Sequence, residues 1–239
     1  MIALLSAVSS ECNAILGAMS VQETIEAGSK TFYSGTASGK EVVLCAGGMG
    51  KANSAHAAAL LITRFDPKII VIFGIGGAYP SSCVKIGDIV IASEEIVGDE
   101  GVLTPEGFKD AGFIGIPLVH KPGMTLFNRF PAPEFLVRKA HDAVASSGIG
   151  RRVQIGRFVT LSTCTGTSRR SQEIERMYAG VCENMEGAAA AQVALMHDVP
   201  WIELRGISNI VEDRDTSKWM VSQASKAAQQ AVQALLEVF

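Results

Sequence analysis

The stretch "MEGAAAAQVALMHDVPWIELRGISN", residues 185–209, decides the fold class of this 239-residue chain. Its first part, as far as Asp198, is rich in alanine and predicts a helix. The part "WIELRGIS" (201–208) is short and largely apolar, which is typical of a strand buried on both faces. A helix that leads into such a strand is the repeating unit of an α/β protein with a mostly parallel sheet flanked by helices.

The same alternation extends through the rest of the chain. Buried strands are predicted for five more runs rich in Val, Ile and Leu: "IALLSAV" (2–8), "EVVLCAG" (41–47), "KIIVIFG" (68–74), "DIVIASE" (88–94) and "GRFVTLS" (156–162). Helices are predicted for "KANSAHAAALLITRF" (51–65), "APEFLVRKAHDAVASSG" (132–148), "SRRSQEIERMYAG" (168–180) and the closing "SKWMVSQASKAAQQAVQALLEVF" (217–239). No linker or repeat interrupts the pattern, so we expect one domain over residues 1–239. Between Gly98 and Pro133 we expect long, functional loops rich in Gly and Pro.

Composition argues against several classes of function. The chain is 48% hydrophobic with a formal net charge of −3 and no long basic run, which argues against nucleic acid as a partner. The opening "MIALLSAVSS" has no Lys or Arg before its apolar run, so it predicts a first strand rather than a signal peptide. No stretch approaches the roughly 20 apolar residues of a membrane span. We therefore expect a cytoplasmic protein with no membrane partner.

The sequence predicts neither a metal site nor a cofactor site. Its five cysteines are dispersed without a CxxC pair, and its four histidines lack metal-ligand spacing. The run "FGIGGAYPSS" (73–82) does not complete the G-x-G-x-x-G pattern of dinucleotide-binding proteins. In "CAGGMGKA" (45–52), Cys45 and Ala52 stand where a P-loop requires Gly and Ser or Thr. Both runs are predicted to be tight turns.

Glycine and short polar residues gather where the predicted strands end. These places are residues 9–11, 47–50, 74–77, 162–166, 183–186 and 208–209. Ligands of open α/β sheets bind at the carboxyl ends of the strands. We therefore expect a site built from loops and backbone amides, with Gly74 and Ile75 among the groups that approach the ligand.

Several of these segments resemble the nucleoside phosphorylase/nucleosidase superfamily on its hydrolase side. The run "GIGGAYPSSCVKIGDIVIASE" (74–94) is close to a segment of that family, and "NMEGAAAAQVA" (184–194) followed by "VPWIELRGISN" (199–209) matches its M-E-x-x-A and R-x-I-S elements. The runs "STCTGTSRR" (162–170) and "ISNIVEDRD" (207–215) resemble the futalosine hydrolase branch, which acts in menaquinone biosynthesis. The resemblance implies a three-layer αβα fold with a central twisted mixed sheet, a small-molecule nucleoside substrate that releases hypoxanthine, and a homo-oligomer.

The resemblance also implies roles in cleaving an N-ribosidic bond, whose transition state carries positive charge on the sugar. Glu186 would accept hydrogen bonds from the ribose hydroxyls and stabilise that charge, with Met185 beneath the ring. Glu11 would activate water, and Arg205 would position the water and Glu186. The residues alone also allow simpler interpretations: a helix-end carboxylate at Glu186, a first-turn acid at Glu11 and a structural ion pair at Arg205.

Asn209 stands where many nucleosidases of the superfamily have Asp. Its amide has two donor hydrogens, which suit the N7 and 6-oxo acceptors of hypoxanthine or guanine better than adenine; a simple turn residue is the alternative. Thr163 and Thr165 match the loop that flanks the base in relatives. Phe108 is predicted as a wall for the aryl-ketone tail of futalosine. Further candidates for the tail and its carboxylate are Phe113, Lys109, Lys121 and Arg129.

Three other functions stay open on the sequence. The first is a nucleosidase for methylthioadenosine or S-adenosylhomocysteine, against which Asn209 argues. The second is a 6-oxopurine nucleoside phosphorylase, against which Glu11 argues because a carboxylate repels phosphate. The third is a nucleoside sensor without catalysis, which fold analogy alone does not distinguish from an enzyme.

Overall fold

The computed structural model describes all residues from 1 to 239. Its central feature is a mixed sheet of ten strands. The strands of this sheet are β1 (Ile2–Ser6), β2 (Ser20–Ala27), β3 (Lys30–Ala37), β4 (Lys40–Ala46), β5 (Ile69–Ala78), β6 (Ile89–Val97), β11 (Arg129–Pro131), β12 (Val153–Thr160), β13 (Cys182–Asn184) and β14 (Trp201–Ile210). Two small hairpins, β7 (Gly101–Thr104) with β8 (Gly107–Asp110) and β9 (Val119–Lys121) with β10 (Met124–Leu126), lie outside it.

The chain also forms seven α-helices. They are α1 (Asn13–Ala18), α2 (Lys51–Phe65), α3 (Ala111–Ile114), α4 (Glu134–Ser146), α5 (Ser168–Tyr178), α6 (Gly187–Met196) and α7 (Val221–Val238). Helix α2 packs against α6, whereas α7 packs against α1, α4 and the strands β5 and β14. The sheet lies between these two groups of helices, and this arrangement confirms the predicted three-layer αβα fold class.

Part of the sheet closes on itself. Strand β14 pairs with β5 in parallel and with β6 antiparallel, while β13 joins β5 to β12 and β12 pairs with β6. The strands β5, β14, β6, β12 and β13 therefore form a ring, and β1, β4, β3 and β2 extend from β5 as an open sheet. The register of the pairing between β14 and β5 shifts between Ile207 and Asn209, near the end of β14.

The predicted strands and helices all occur, with ends that differ by a few residues. The hairpin of β2 and β3 was not predicted, because β2 is mostly exposed and lacks the apolar run that marks a buried strand. The segment between Gly98 and Pro133 is not a set of long loops; it contains α3 and the short strands β7 to β11. These elements are too short for the hydrophobic periodicity of a helix or of a strand to be recognised in the sequence.

The strands that matter for the site run in the same direction. Strand β1 is parallel to both β4 and β5, and β14 is parallel to β5. Their carboxyl ends therefore meet at one edge, where Glu11 follows β1, Gly50 follows β4 and Asn209 lies near the end of β14. No helix in the chain is both long enough and apolar enough to cross a membrane.

Candidate active site

A cavity of about 320 Å³ opens at this edge of the sheet. Most of the predicted site residues line it, although they are far apart in the sequence. They are Glu11, Ile75, Thr165, Met185, Glu186, Arg205 and Asn209. The structure thus brings the predicted carboxylates of Glu11 and Glu186, the guanidinium of Arg205 and the amide of Asn209 around one space.

Glu11 is buried, and backbone amides hold its carboxylate in place. Its Oε2 accepts from the N–H groups of Ala7 and Val8 at 3.0 and 3.1 Å, and its Oε1 accepts from Ile75 N–H at 2.8 Å. Gly74 makes this approach possible, because a Cβ at that position would lie 2.5 Å from Glu11 Oε1. Gly74 and Ile75 therefore act in the site through Glu11, by leaving room for it and by donating to it.

Glu186 lies at the start of α6 and is also buried. Its Oε1 accepts from Gly50 N–H at 2.9 Å, so the Gly-rich turn after β4 holds a carboxylate rather than a phosphate. Lys51, the would-be P-loop lysine, instead forms ion pairs with Asp99 and Glu100. The turn therefore contributes to the site by orienting Glu186.

Arg205 is 1% exposed and connects the carboxylates of the site. Its Nε donates to Glu203 Oε1 at 2.8 Å, one N–H of its Nη1 donates to the carbonyl of Ile75, and Nη1 lies 3.7 Å from Glu186 Oε2. Burial lowers the pKa of Arg205, but the charges of Glu203, Glu186 and Glu11 outweigh it and raise the pKa above the ordinary value. The guanidinium is therefore a permanent cation among carboxylates.

The amide of Asn209 lies at the cavity wall with a defined orientation. Its Nδ2 donates to the carbonyl of Ile210 at 3.1 Å, and its Oδ1 lies 2.8 Å from the hydroxyl of Ser208, which can donate to it. One of the two amide hydrogens is thereby used inside the protein, and one is left for a ligand. Asp213 accepts from Ser168 N–H and Asp215 accepts from Ser217, so both nearby acids have local structural partners.

The loop after β12 brings Thr165, but not Thr163, to the cavity. The hydroxyl of Thr165 is buried without a partner in the protein, and its N–H donates to Glu183 Oε1 at 2.8 Å. Glu183 also accepts from the hydroxyl of Tyr79 at 2.9 Å and lines the cavity. Burial, and then the charge of Glu183, raises the pKa of Tyr79 well above its ordinary value, so Tyr79 stays a donor. Glu183 was not predicted as a site residue, although its place beside Asn184 and Met185 pointed to one.

The residues predicted for the substrate tail do not line this cavity. Phe108, Phe113, Lys109 and Arg129 border a separate groove beside Tyr178. Lys121 pairs with Asp198, and Arg129 pairs with Glu94, so local acids neutralise both charges. The cavity instead receives Arg214 and Trp219, which sequence analysis did not single out, and the guanidinium of Arg214 lies 4.5 Å from the centre of the Trp219 ring.

Comparison with known proteins places this arrangement in a family. Residues 1–237 match the family described as the phosphorylase superfamily. The chain belongs to the phosphorylase superfamily. It is 33% identical to a futalosine hydrolase of Thermus thermophilus, in an alignment that covers 79% of this chain and 78% of that relative. Its similarity to a 5'-methylthioadenosine/S-adenosylhomocysteine nucleosidase of Mycobacterium bovis is 33% over 75% and 73%.

The solved structures agree on the fold of this superfamily member. The 5'-methylthioadenosine/S-adenosylhomocysteine nucleosidase of Neisseria meningitidis superposes with a TM-score of 0.86 over 100% of this chain and 99% of that chain, at 23% identity. In the present chain no group of three or more His, Cys, Asp or Glu side chains is arranged to hold a metal ion. The cavity offers carboxylates, one buried guanidinium and an amide, a set that can bind hydroxyl groups and a polar heterocycle.

Proposed function

We propose that this protein hydrolyses the N-ribosidic bond of futalosine and releases hypoxanthine. The observation that carries the proposal is the convergence of Glu11, Glu186, Arg205 and Asn209 on one cavity. The futalosine hydrolase of Thermus thermophilus, 33% identical over most of both chains, supports this choice of substrate. The proposal includes action of the whole chain as one domain, in the cytoplasm and in menaquinone biosynthesis.

The first part of the proposed mechanism concerns the sugar. As the bond to the base lengthens, positive charge develops on the ribose ring, and a fixed negative charge nearby stabilises the transition state. Glu186 supplies this charge and accepts from the ribose hydroxyls, while Gly50 N–H and Arg205 fix its two oxygens. Met185, which lines the cavity beside Glu186, provides an apolar surface for the ring.

The second part concerns the nucleophile, which we propose is water. Three backbone N–H groups point at Glu11 and are already satisfied by its carboxylate. A phosphate ion at this place would meet the negative charge of Glu11, and these three backbone donors are already taken, so it would be repelled. A water molecule, in contrast, can donate a hydrogen bond to Glu11 and be deprotonated as it attacks the sugar.

The third part concerns the leaving base. The base leaves with the electron pair of the broken bond, and the free amide hydrogen of Asn209 stabilises it by donating a hydrogen bond to N7 or to the 6-oxo group, both of which are acceptors. Asn209 transfers no proton, so the released hypoxanthine anion takes its proton from solvent, and Glu11 returns the proton of the attacking water to solvent. To serve both acceptors at once, the amide must release the carbonyl of Ile210. The unpartnered hydroxyl of Thr165 can donate as well. An adenine would place its 6-amino donor against this donor side, and an unpaired buried polar group costs about 1–3 kcal/mol.

We propose Arg214 as the partner of the carboxylate at the end of the futalosine tail. Among the residues that line the cavity, only Arg205 and Arg214 are cationic, and Arg205 is occupied by Glu203 and Glu186. Arg214 is exposed and stacks on Trp219, which leaves its N–H groups accessible to an anion. Trp219 and the exposed side chains of Val8 and Met49 supply apolar surface for an aryl tail.

A second candidate is a nucleosidase for methylthioadenosine or S-adenosylhomocysteine. Relatives with this name reach the same 33% identity as the futalosine hydrolase. The apolar surface of Val8 and Met49 would also suit a methylthio group. Asn209 argues against adenine as the base, so the two candidates differ in the base that is released.

We further propose that the chain forms a homo-oligomer. Leu103, Phe113 and Ile116 expose large apolar side chains, at 81%, 65% and 67%, on β7 and on or near α3, which pack together. Covering such a patch in a second copy removes apolar surface from water. Sedimentation velocity would test this, and a monomer at micromolar concentration would contradict it.

One experiment tests the function. Purified protein is incubated with futalosine, inosine or methylthioadenosine, with and without phosphate, and the released base and sugar are separated by chromatography. We expect hypoxanthine and free sugar from futalosine at a rate independent of phosphate. Adenine release that exceeds hypoxanthine release would favour the second candidate, and a sugar 1-phosphate product would refute hydrolysis.

A further inference from the structure

Two fully buried acids meet behind the cavity. Glu95 on β6 and Glu203 on β14 are both 0% exposed. A Cβ on Gly187, the first residue of α6, would lie 2.2 Å from Glu95 Oε1 and 2.2 Å from Glu203 Oε2. The two carboxyl groups therefore face each other at the point where the helix begins, and only glycine leaves room for both.

Too few cations are present for both acids to be ionised. The guanidinium of Arg205 contacts Glu203 and also faces Glu186 and Glu11, so one positive charge already serves three carboxylates. The other ionisable group near the pair, Cys182, is a buried thiol whose pKa burial raises well above its ordinary value, so it adds no positive charge. A second buried charge without a partner would cost several kcal/mol.

The hydrogen bonds around the pair indicate where a proton resides. Glu203 Oε1 accepts from Arg205, while Glu203 Oε2 is buried and has no N–H or hydroxyl donor other than a protonated neighbour. Glu95 accepts from Asn184 Nδ2 at 2.6 Å and from the hydroxyl of Thr160 at 2.7 Å. A proton on Glu95 that is donated to Glu203 Oε2 satisfies the remaining atom and leaves Glu203 ionised beside Arg205.

We propose that Glu95 and Glu203 form a proton-sharing pair that positions the catalytic residues Arg205 and Glu186. Burial, and then the charge of Glu203, raises the pKa of Glu95 well above its ordinary value, in agreement with a proton held at neutral pH. The pair touches no part of the cavity itself, so both residues act through their neighbours.

Two routes connect the pair to the cavity. Glu203 fixes the guanidinium of Arg205, which in turn faces Glu186. Glu95 fixes the side chain of Asn184, whose Oδ1 accepts from the N–H groups of Glu186 at 2.9 Å and Gly187 at 2.7 Å. Asn184 thus helps to cap the start of α6, and this cap sets the backbone that carries Glu186.

A spectroscopic test does not depend on the reaction. Infrared spectra are recorded at neutral pH in H₂O and D₂O for the wild type, Glu95→Gln and the control Glu94→Gln. Glu94 precedes Glu95 on β6 but pairs with Arg129 and Arg157 outside the site. We expect the carbonyl band of a protonated carboxylic acid, sensitive to D₂O, in the wild type and in Glu94→Gln, and its loss in Glu95→Gln. A wild-type spectrum without a band that Glu95→Gln removes would overturn the proposal.

A kinetic test asks whether the two glutamates share one charge, and this arm alone rests on the proposed function. Glu95→Gln and Glu203→Gln each leave one carboxylate near Arg205, so we expect each to lower kcat/KM by about tenfold or less. The double variant removes both carboxylates, and we expect a loss of more than about a thousandfold, well beyond the product of the single losses. Additive losses in a folded double variant would overturn the shared charge. If the double variant does not fold, the infrared result for Glu95→Gln decides.

The two proposals fail in different ways. If the wild type releases no base from any nucleoside, the proposed function is wrong, and the infrared band still reports on the pair. If the wild type is active but the band is absent, the pair is wrong and the proposed function stands.

Discussion

Replacing Glu186 with Gln removes one negative charge from the cavity and changes little else in shape. Glu186 Oε1 accepts from Gly50 N–H, so the amide oxygen of Gln must take that position. The amide nitrogen then takes the position of Oε2, which lies 3.7 Å from Arg205 Nη1, and two donors face each other. The variant therefore loses the charge and also misplaces the group that would accept from the ribose.

The size of the loss in rate follows from the distance expected between the carboxylate of Glu186 and the positive charge on the ribose. Two unit charges about 4 Å apart interact by about 4 kcal/mol at an effective dielectric constant of about 20, and a developing ribose cation next to Glu186 would gain a similar amount. Loss of about 3–4 kcal/mol from the transition state lowers the rate by roughly 10²–10³-fold. We expect at least this loss in kcat/KM for Glu186→Gln. Folding should persist, because Arg205 keeps its hydrogen bond to Glu203 at 2.8 Å.

The assay measures the rate of base release by chromatography. Thermal unfolding measures the stability of the same variants. Glu173→Gln, which removes a half-buried carboxylate that pairs with Arg169 and Arg170 on α5, away from the cavity, is the matched control and should keep wild-type kinetics. We expect the Tm of Glu186→Gln to stay within about 6 °C of the wild type, which corresponds to about 2 kcal/mol for a chain of this size. A folded Glu186→Gln variant with kcat/KM within tenfold of the wild type would refute the role given to this carboxylate.

Three further variants test the remaining parts of the site. Glu11→Gln should lower kcat by at least about a hundredfold with little change in KM, because it removes the group that accepts the proton of water; steady-state kinetics measure this, and an unchanged kcat would contradict it. Asn209→Asp should shift the ratio of adenine to hypoxanthine release towards adenine by about tenfold or more, because a protonated Asp can donate to N7 while its other oxygen accepts from the 6-amino group. Rates with matched adenine and hypoxanthine nucleosides measure this ratio, and an unchanged ratio would contradict the role of Asn209. Arg214→Met should raise KM for futalosine by about tenfold and leave KM for inosine, which lacks a carboxylate, nearly unchanged. Equal changes in KM for both substrates would show that Arg214 does not bind the tail. Arg169→Met, on the exposed surface of α5, is the control.

Local sequence patterns were sufficient for most of the fold. Buried strands such as β5 and helices such as α2 have runs of uniform character that tertiary contacts need not override. The hairpin of β2 and β3 lacks such a run, because its position at the edge of the sheet leaves β2 mostly exposed. Closure of β14 onto β6 was also not predictable, since it depends on pairing between strands more than 100 residues apart.

The site was predictable where it follows strand ends and not where it follows loops. Glu11 follows β1, Asn209 lies near the end of β14 and Arg205 lies in the middle of β14, and the pairing of both strands with β5 brings them together. Lys121 and Arg129 lie in the segment of short hairpins, where nearby acids neutralise them. A sequence gives the charge of such a residue but not its partner, so it does not distinguish a ligand-binding cation from one in a surface ion pair.

Glu95 and Glu203 show the same limit in the core. On a strand, a Glu next to apolar residues looks like a side chain that points to solvent, and this applies to Glu95 before Ile96 and to Glu203 between Ile202 and Leu204. Here both strands belong to the closed part of the sheet, so both faces are covered and both acids are buried. The closure of the sheet thus creates the need for a shared proton, which no local pattern reveals.

The balance of charge connects this pair to the reaction. Arg205 is the one buried guanidinium, with Glu203 on one side and Glu186 and Glu11 on the other. If Glu95 were also ionised, Glu95 and Glu203 together would attract Arg205 more strongly. Arg205 would then interact less with Glu186. A neutral Glu95 keeps Arg205 shared between the two sides, and the cavity keeps a net negative charge. That charge favours a sugar cation and repels phosphate, so the proposed hydrolysis in this chain depends on both the glutamates at the cavity and the proton behind it.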